Sequence, residues 1–244
     1  MTESKTKLES IKLTSFSDFA DWVEMMRRPR RQYLYRGQSV RGGLLPGIAR
    51  KSPNRNKKIA EKEALKQFAL LGASLLPVGP QSQVDLMVIA QHHGLKTRLL
   101  DWSANPLVAL LFACAATEEG DVYVYVLDAT DLMDEEVYQS DPFDRTNTAV
   151  FQPRLNNPRV AAQDGWFTLH AYAKGNSKFI ALERITAMKG MVKEIIIPLR
   201  SRERMLEMLQ ATGFTARSMF PDLEGLSRYL NLKHQFTEYA FAEL

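Results

Sequence analysis

Cysteine is scarce in this sequence, because Cys114 carries the only thiol among 244 residues. A single cysteine cannot form an intramolecular disulfide, which excludes the disulfide-stapled folds of small secreted proteins. Long apolar runs are missing too: none reaches the roughly 18 residues that a membrane-spanning helix needs. The N-terminal MTESKTKLES also lacks the apolar core of a signal peptide. We therefore expect a cytoplasmic protein without a membrane partner.

Several motifs that indicate common chemistries are also absent. The sequence contains no Walker phosphate-binding loop, no Gly-x-Gly-x-x-Gly, no Gly-x-Ser-x-Gly and no His-Glu-x-x-His. These absences exclude the usual routes to ATP or dinucleotide binding, to a serine nucleophile and to a zinc site. We expect no bound metal and no resident cofactor.

The composition that is present suits a globular protein, with 45% hydrophobic and 25% charged residues. No Gly/Ser/Pro-rich linker divides the chain, so we predict one domain over residues 32–244 with an N-terminal helix, within residues 1–31, packed on it. The formal charge is +4, and two basic runs, Met26–Arg31 and Arg50–Lys58, contribute to it. Such runs are either solvated loops or phosphate-binding surfaces. The first run would offer a nucleic acid four arginines: Arg27, Arg28, Arg30 and Arg31.

Hydrophobic periodicity predicts an α+β fold, with a small central mixed or antiparallel sheet flanked by helices. Helices are predicted from Ser15 to Pro29 and at Ile59–Leu76, Val84–His93, Leu107–Ala116, Ser201–Gln210 and Asp222–Leu232. Strands are predicted at Gln32–Arg36, Asp121–Leu127, Trp166–Tyr172 and Glu194–Ile197. Loops are predicted for the basic run that follows Gly47, which we expect to be mobile, and, with a short helix, for Leu132–Asn157.

The segment Gln91–Asn105 carries the densest set of functional groups. Its part GLKTRLLDWSANP is too polar and irregular for a helix or strand, so we predict a loop leading into a helix capped by Asn105. Arg98 and Asp101 are expected either to pair with each other or to be directed into a cleft, because buried charges need partners. Of the two histidines that end the preceding helix, only one can face inward, and His93 is the candidate proton carrier.

Three groups of motifs resemble one known family. They are Tyr35-Arg36-Gly37-Gln38, the run from Gln91 to Ser103 with Asn105-Pro106, and Arg159 with Gln163–Phe167 and Phe220–Leu226. Together they resemble the FRG-domain family, named for a Phe-Arg-Gly motif whose first place is taken here by Tyr35. The resemblance spans Gln32 to Leu230, and its HGLxTRLLDW run is too long for a chance match.

The resemblance implies a domain without fixing its activity. By analogy, the order of Arg36, the Asp101–Ser103 segment and Gln163 is similar to that in mono-ADP-ribosyltransferases, with NAD as the candidate substrate. Gln163 offers no carboxylate, however, so Glu183 or Glu194 would have to supply one. The alternatives are a non-catalytic, ligand-sensing domain and a nucleic-acid-binding module. The biological setting that we expect is phage defence or toxin function.

The sequence therefore predicts one polar pocket for a nucleotide-type or other anionic ligand. The residues expected to be catalytic are His93, Arg98, Asp101 and Gln163. The residues expected to bind the ligand are Arg36, Gly37, Gln38, Thr97, Trp102, Ser103 and Asn105. In this pocket Arg36 would clamp an anion, Trp102 would stack on a base, and Asp101 would orient Arg98.

Overall fold

A mixed sheet of seven strands organises the chain in the computed structural model, which describes residues 8–115, 118–154, 157–173 and 178–236. The strands are β1 Glu9–Lys12, β2 Tyr33–Gln38, β3 Leu99–Ser103, β4 Val122–Asp128, β5 Ala149–Phe151, β6 Gly165–Leu169 and β7 Val192–Ile197. Their order across the sheet is β1-β7-β4-β2-β3-β6-β5. Among the pairs of named strands in the described residues, only that of β1 with β7 is parallel, and the predicted α+β class is confirmed.

Helices flank this sheet in the described residues. They are α1 Phe16–Met26, α2 Lys58–Leu71, α3 Gln83–His92, α4 Pro106–Cys114, α5 Pro158–Ala162, α6 Leu199–Ala211, α7 Ala216–Met219 and α8 Leu223–Lys233. Short 3-10 turns lie at Thr130–Leu132, Leu182–Arg184 and Thr186–Met188. In the parts of the chain that the structure describes, no helix has both the length and the apolar character that crossing a membrane requires.

Two apolar layers hold helices and loops against the sheet. On one face, α1 inserts Phe19 and Trp22 into a core that includes α4, α6 and residues of β4 and β7. On the other face, Leu34, Leu100 and Leu127 pack against the segment that carries the last two 3-10 turns. Because successive strand residues point to opposite faces, Leu34 and Arg36 share one face of β2 while Tyr35 and Gly37 share the other.

The caps of the helices account for most of the boundaries that the sequence predicts. Ser15 and Asp18 form a capping box at the start of α1, and Asn105 accepts a hydrogen bond from the Leu107 amide at the start of α4. Gly94 follows α3 with a φ of 89°, the left-handed conformation that glycine adopts most easily. The predicted end of α4 at Ala116 lies outside the described residues, as do residues 1 and 244 at the two ends of the predicted domains.

Three predictions about local structure are wrong. The segment expected to be irregular after Gly94 contains β3, which pairs with β6 over its full length. The Leu132–Asn157 region contains β5, and α2 ends at Leu71 rather than Leu76. Prediction failed here because Asp101 interrupts the apolar pattern of β3 and β5 has only three residues.

The basic run after Gly47 contains no helix or strand before α2 begins at Lys58, as predicted, and hydrogen bonds join its backbone to other parts of the fold. It forms consecutive turns, with backbone hydrogen bonds from the Ser52 amide to Ala49 O and from the Arg55 amide to Ser52 O. The Ile48 amide donates to Thr97 O, and the Phe179 amide donates to Pro53 O. These bonds fix the run against the chain just before β3.

Candidate functional site

The sheet is split between β2 and β3. β2 pairs with β4 along all six of its residues, and β3 pairs with β6 along all five, whereas β2 and β3 meet only at Tyr35 and Ser103. Beyond that pair the two strands diverge, although Gly37 would come opposite Asp101 if the ladder continued. A cavity of about 660 Å³ is lined by both diverging strands and by α4.

Arg36 bridges this split with its side chain. Nη1 of Arg36 donates to the backbone oxygen of Asp101 at 2.7 Å and lies 3.7 Å from the Asp101 carboxylate, while Nε donates to Gln38 Oε1 at 3.1 Å. Nη2 makes no hydrogen bond with any residue that the structure describes. The side chain is 14% exposed, so a charged donor group of a nearly buried arginine is left for the cavity.

Burial lowers the pKa of this arginine. Desolvation lowers the pKa of Arg36 to about 10, against the opposing influence of Asp101, and the positive charge of Arg50 lowers it further. Arg36 is still protonated at neutral pH. Asp101, whose side chain is 57% exposed, offsets only part of the cost of burying this charge, which favours a further anion in the cavity.

Two further arginines line the cavity. Arg41 donates to the Glu194 carboxylate through Nε at 3.0 Å and Nη2 at 2.5 Å, and the hydrogen bond with this buried carboxylate raises the pKa of Arg41. Arg50 donates only to the Leu45 backbone oxygen, at 3.4 Å, and contacts no carboxylate in the described parts of the chain. Neither Arg41 nor Arg50 was among the predicted site residues. Both residues lie in the segment that follows β2, and the sequence does not indicate where that segment runs in the fold.

The structure brings most of the predicted site residues together. Seven of them line the cavity: Arg36, Gly37, Gln38, Asp101, Trp102, Ser103 and Gln163. Four are not among its lining residues: His93, Thr97, Arg98 and Asn105. Those four side chains therefore make their contacts away from the cavity wall.

Arg98 is an interior structural residue in this fold. It is fully buried, and its Nε and Nη2 donate to Glu61 Oε2 at 3.0 and 2.7 Å. The expected pairing of Arg98 with Asp101 is wrong, because Asp101 instead accepts from Gln91 Nε2 at 2.8 Å and approaches Arg36. Arg98 and Asp101 lie an odd number of residues apart in β3 and its approach, so their side chains point to opposite faces.

The other three residues outside the lining act on the backbone or face solvent. Thr97 is buried, with its hydroxyl bonded to Gln91 Oε1 and accepting from the Leu99 amide. Asn105 caps α4. His93 is exposed at the residue that ends α3. Proton transfer by His93 remains a prediction, made for a side chain outside the cavity lining.

Two lining residues also have internal partners. Gln163 Nε2 donates to Met219 O at 3.1 Å, and the Gln163 backbone oxygen accepts from Ser103 Oγ at 2.7 Å. Trp102 Nε1 donates to Thr168 Oγ1 at 3.0 Å, and only 4% of Trp102 is exposed. Little of its ring is left for stacking. Phe112 of α4, which also lines the cavity and is half-buried, offers a more accessible aromatic surface.

His170 lies buried behind the cavity, next to Arg36 and Arg98. Its Nε2 is 3.0 Å from Thr168 Oγ1, the hydroxyl that also accepts from Trp102. Desolvation, followed by the charges of Arg36 and Arg98, lowers the pKa of His170 from 6.5 to about 3. The imidazole is therefore neutral in the folded protein.

We predict that His170 makes the protein less stable as the pH falls. Between about pH 6.5 and 3 the unfolded chain binds a proton at this side chain and the folded chain does not, so stability rises with pH in this window. The contribution is about 1.4 kcal/mol for each pH unit well below 6.5. Urea unfolding at pH 7.0, 6.0 and 5.0 should show a shallower pH dependence for His170→Gln than for wild type. His234→Gln, at an exposed position, is the control; equal slopes for all three proteins would contradict the assignment.

Comparison with known proteins supports one family. A family model described as FRG domain matches residues 31–121, which include β2, the basic run, α2, α3, β3 and α4. The resemblance is confirmed for this part of the chain, whereas Arg159, Gln163 and the Phe220–Leu226 motif lie beyond the match. No curated protein and no solved structure matches the chain. Within the described residues, no group of three or more His, Cys, Asp or Glu side chains could hold a metal ion.

Proposed function

We propose that the cavity between β2 and β3, two strands of the segment that matches the FRG-domain model, binds a phosphate-bearing, nucleotide-type ligand. One observation carries this proposal: Arg36 is nearly buried at the cavity and its Nη2 group has no protein partner in the described chain. A guanidinium with free donors at a partly desolvated site is suited to a phosphate, which accepts its hydrogen bonds in a planar, two-point geometry.

The balance of charge at the cavity supports the same ligand class. Arg36, Arg41 and Arg50 line it, and the lining carboxylates are Asp101 and Glu118. Asp101 is shared between Arg36 and Gln91, and Arg41 is paired with Glu194 behind the lining. Arg50 adds a positive charge without a carboxylate partner in the described chain. Because Arg50 has no carboxylate partner and Nη2 of Arg36 has no acceptor in the described chain, both are available to a phosphate of the ligand.

The size and walls of the cavity suit a nucleoside as well as its phosphates. Its volume of about 660 Å³ lies within the range of small-molecule sites. Val108, Ala109 and Phe112 give α4 an apolar surface there, and the half-buried Phe112 ring is positioned for contact with a base. The ligand would thus contact arginines at one part of the cavity and α4 at another.

We confine the proposal to binding, because the residues expected to be catalytic have other contacts. Arg98 pairs with Glu61, Gln163 donates to Met219 O, and His93 does not line the cavity. Asp101 remains beside Arg36, where it orients the guanidinium. NAD belongs among the ligands to be tested, and a search for its turnover follows only if it binds.

Replacing Arg36 with alanine is expected to weaken ligand binding by about tenfold to a hundredfold, since a lost charge-assisted hydrogen bond costs about 1.5–3 kcal/mol. Isothermal titration calorimetry with ATP, ADP-ribose and NAD measures the effect. Arg36→Lys should recover only part of the affinity, because an ammonium lacks the planar fork. A ligand-dependent rise in melting temperature gives an independent readout.

Arg31→Ala is the matched control for this experiment. Arg31 precedes the opposite end of β2 and pairs with Asp128 and Asp131 at 3.4 Å, far along the strand from the cavity. We expect its affinity to equal that of wild type. If wild type binds none of the three ligands, or if Arg36→Ala binds as tightly as Arg31→Ala, the cavity is not the phosphate site proposed here.

A further inference from the structure

Four exposed cations, which we call the rim, are Arg50, Lys51, Arg55 and Lys96. Lys51 and Arg55 belong to the consecutive turns that include Arg50. Arg50 also lines the cavity itself. Lys96 comes from the chain just before β3 and packs its side chain against Gly47, with Cδ 3.3 Å from the position of a Cβ at that glycine. Two separate parts of the sequence thus contribute to one basic surface.

The backbone that carries the rim is held in place by hydrogen bonds. The Ile48 amide donates to Thr97 O at 3.2 Å, and Lys57 Nζ donates to Ile48 O at 2.7 Å. The Lys57 amide donates to the Tyr172 hydroxyl at 2.7 Å. The positive charges therefore project from a fixed surface, which lowers the entropic cost of binding a ligand there.

The rim lacks acidic partners in the described chain, whereas one arginine of the other basic run, Arg31, has two. In the described chain, none of its four cations contacts a carboxylate, and the sequence from Ser39 to Lys58 contains no Asp or Glu. In the Met26–Arg31 run, by contrast, Arg31 pairs with Asp128 and Asp131, and Arg28 Nη1 donates to Met25 O. Unpaired cations on a fixed surface indicate a polyanionic partner.

We infer, resting on the proposed function of the cavity, that its ligand is one nucleotide of a single-stranded nucleic acid whose neighbouring phosphates lie on the rim. A free mononucleotide would use Arg36 and Arg50 but would leave Lys51, Arg55 and Lys96 without anions. A single strand is favoured over a duplex because the cavity is recessed between two strands of the sheet. A duplex base would first have to unstack and unpair to enter it, whereas a single-stranded base is already accessible.

Fluorescence anisotropy with labelled 12-nucleotide single-stranded DNA and RNA tests this inference. Wild type should bind the oligonucleotide at least tenfold more tightly than it binds AMP in competition. The double variant Lys51→Ser/Arg55→Ser should weaken oligonucleotide binding. The plot of log affinity against log salt concentration should also become less steep, by about 0.7 for each phosphate that the variant no longer binds. AMP binding should be unchanged, since neither residue lines the cavity.

The matched control removes two cations at the opposite end of β2, with Arg27→Ser/Arg28→Ser, and should leave oligonucleotide binding unchanged. The inference is overturned if the rim variant binds the oligonucleotide like wild type, or if a 12-base-pair duplex binds as tightly as the single strand. Failure of the cavity proposal looks different: Arg36→Ala would then leave AMP affinity unaltered while the rim variant still weakened oligonucleotide binding.

Discussion

Replacing Glu61 with alanine is expected to lower the free energy of unfolding by about 4 kcal/mol, the typical cost of removing one member of a buried ion pair. Glu61 lies on α2 and is 4% exposed. Its carboxylate accepts from the backbone amide of Arg98 at 2.8 Å as well as from two guanidinium nitrogens. Among the described residues, the variant would leave the fully buried Arg98 charge with the Pro142 backbone oxygen and the Phe143 and Tyr172 rings as partners.

Urea denaturation followed by tryptophan fluorescence measures this effect. Glu63→Ala is the control, because Glu63 lies two residues further along α2, is exposed and bonds only to Gln67 in the described chain. Its free energy of unfolding should change by less than about 0.5 kcal/mol. The double variant Glu61→Leu/Arg98→Met should recover much of the loss, since no charge then remains buried. A Glu61→Ala protein as stable as Glu63→Ala would contradict the structural role of the pair.

The TRLLDW run, residues 97–102, contains both residues that stabilise the interior, such as Arg98 in its pair with Glu61, and residues that line the cavity. Arg98, just before β3, forms an ion pair with Glu61 of α2, and the Thr97 hydroxyl is hydrogen-bonded to the Gln91 side chain and to the Leu99 amide. Asp101 and Trp102 then reach the cavity. A dense polar motif can therefore serve both the fold and the site. The density of polar residues alone does not tell which of them stabilise the fold and which line the cavity.

Local interactions explain why much of the fold could be predicted. The capping box of Ser15 and Asp18 and the cap at Asn105 each join atoms no more than three residues apart, so sequence spacing indicates them directly. The strict alternation in β4 likewise reports a strand with two buried faces. By contrast, Glu9 pairs with Lys193, and nothing in the exposed, four-residue β1 indicates that partner.

The same distinction applies to the site. Arg36, Gly37 and Gln38 were predicted because they end a short aromatic strand and carry a recognisable motif. The partner of Arg98 was not predicted, because Glu61 lies 37 residues away on a helix with no special pattern. Arg41 and Arg50 were missed as lining residues because the cavity arises from the divergence of β2 and β3, a tertiary feature.

Gly37→Ala is expected to destabilise the protein by about 3 kcal/mol, at the upper end of the usual cost of overpacking a core. A Cβ at residue 37 would lie 2.0 Å from Ala109 O and 2.6 Å from the Ala113 amide nitrogen. Both are backbone atoms of α4, so no side-chain rotation could relieve the contact. The helix would have to move away from β2, and the α4 wall of the cavity would move with it.

Gly42→Ala provides the matched control, because a Cβ at residue 42 would have no heavy atom within 4 Å. Its backbone does not have the positive φ that would strain an alanine, so its stability should stay within about 0.5 kcal/mol of wild type. Thermal and urea unfolding compare the two variants. Gly42 itself lines the cavity, so AMP titration compares Gly37→Ala with wild type. Equal stability would mean that α4 can shift without cost. If Gly37 sets the spacing between β2 and α4, Gly37→Ala should lose both stability and AMP affinity. A destabilised Gly37→Ala that still binds AMP normally would show that the contact with α4 does not shape the cavity.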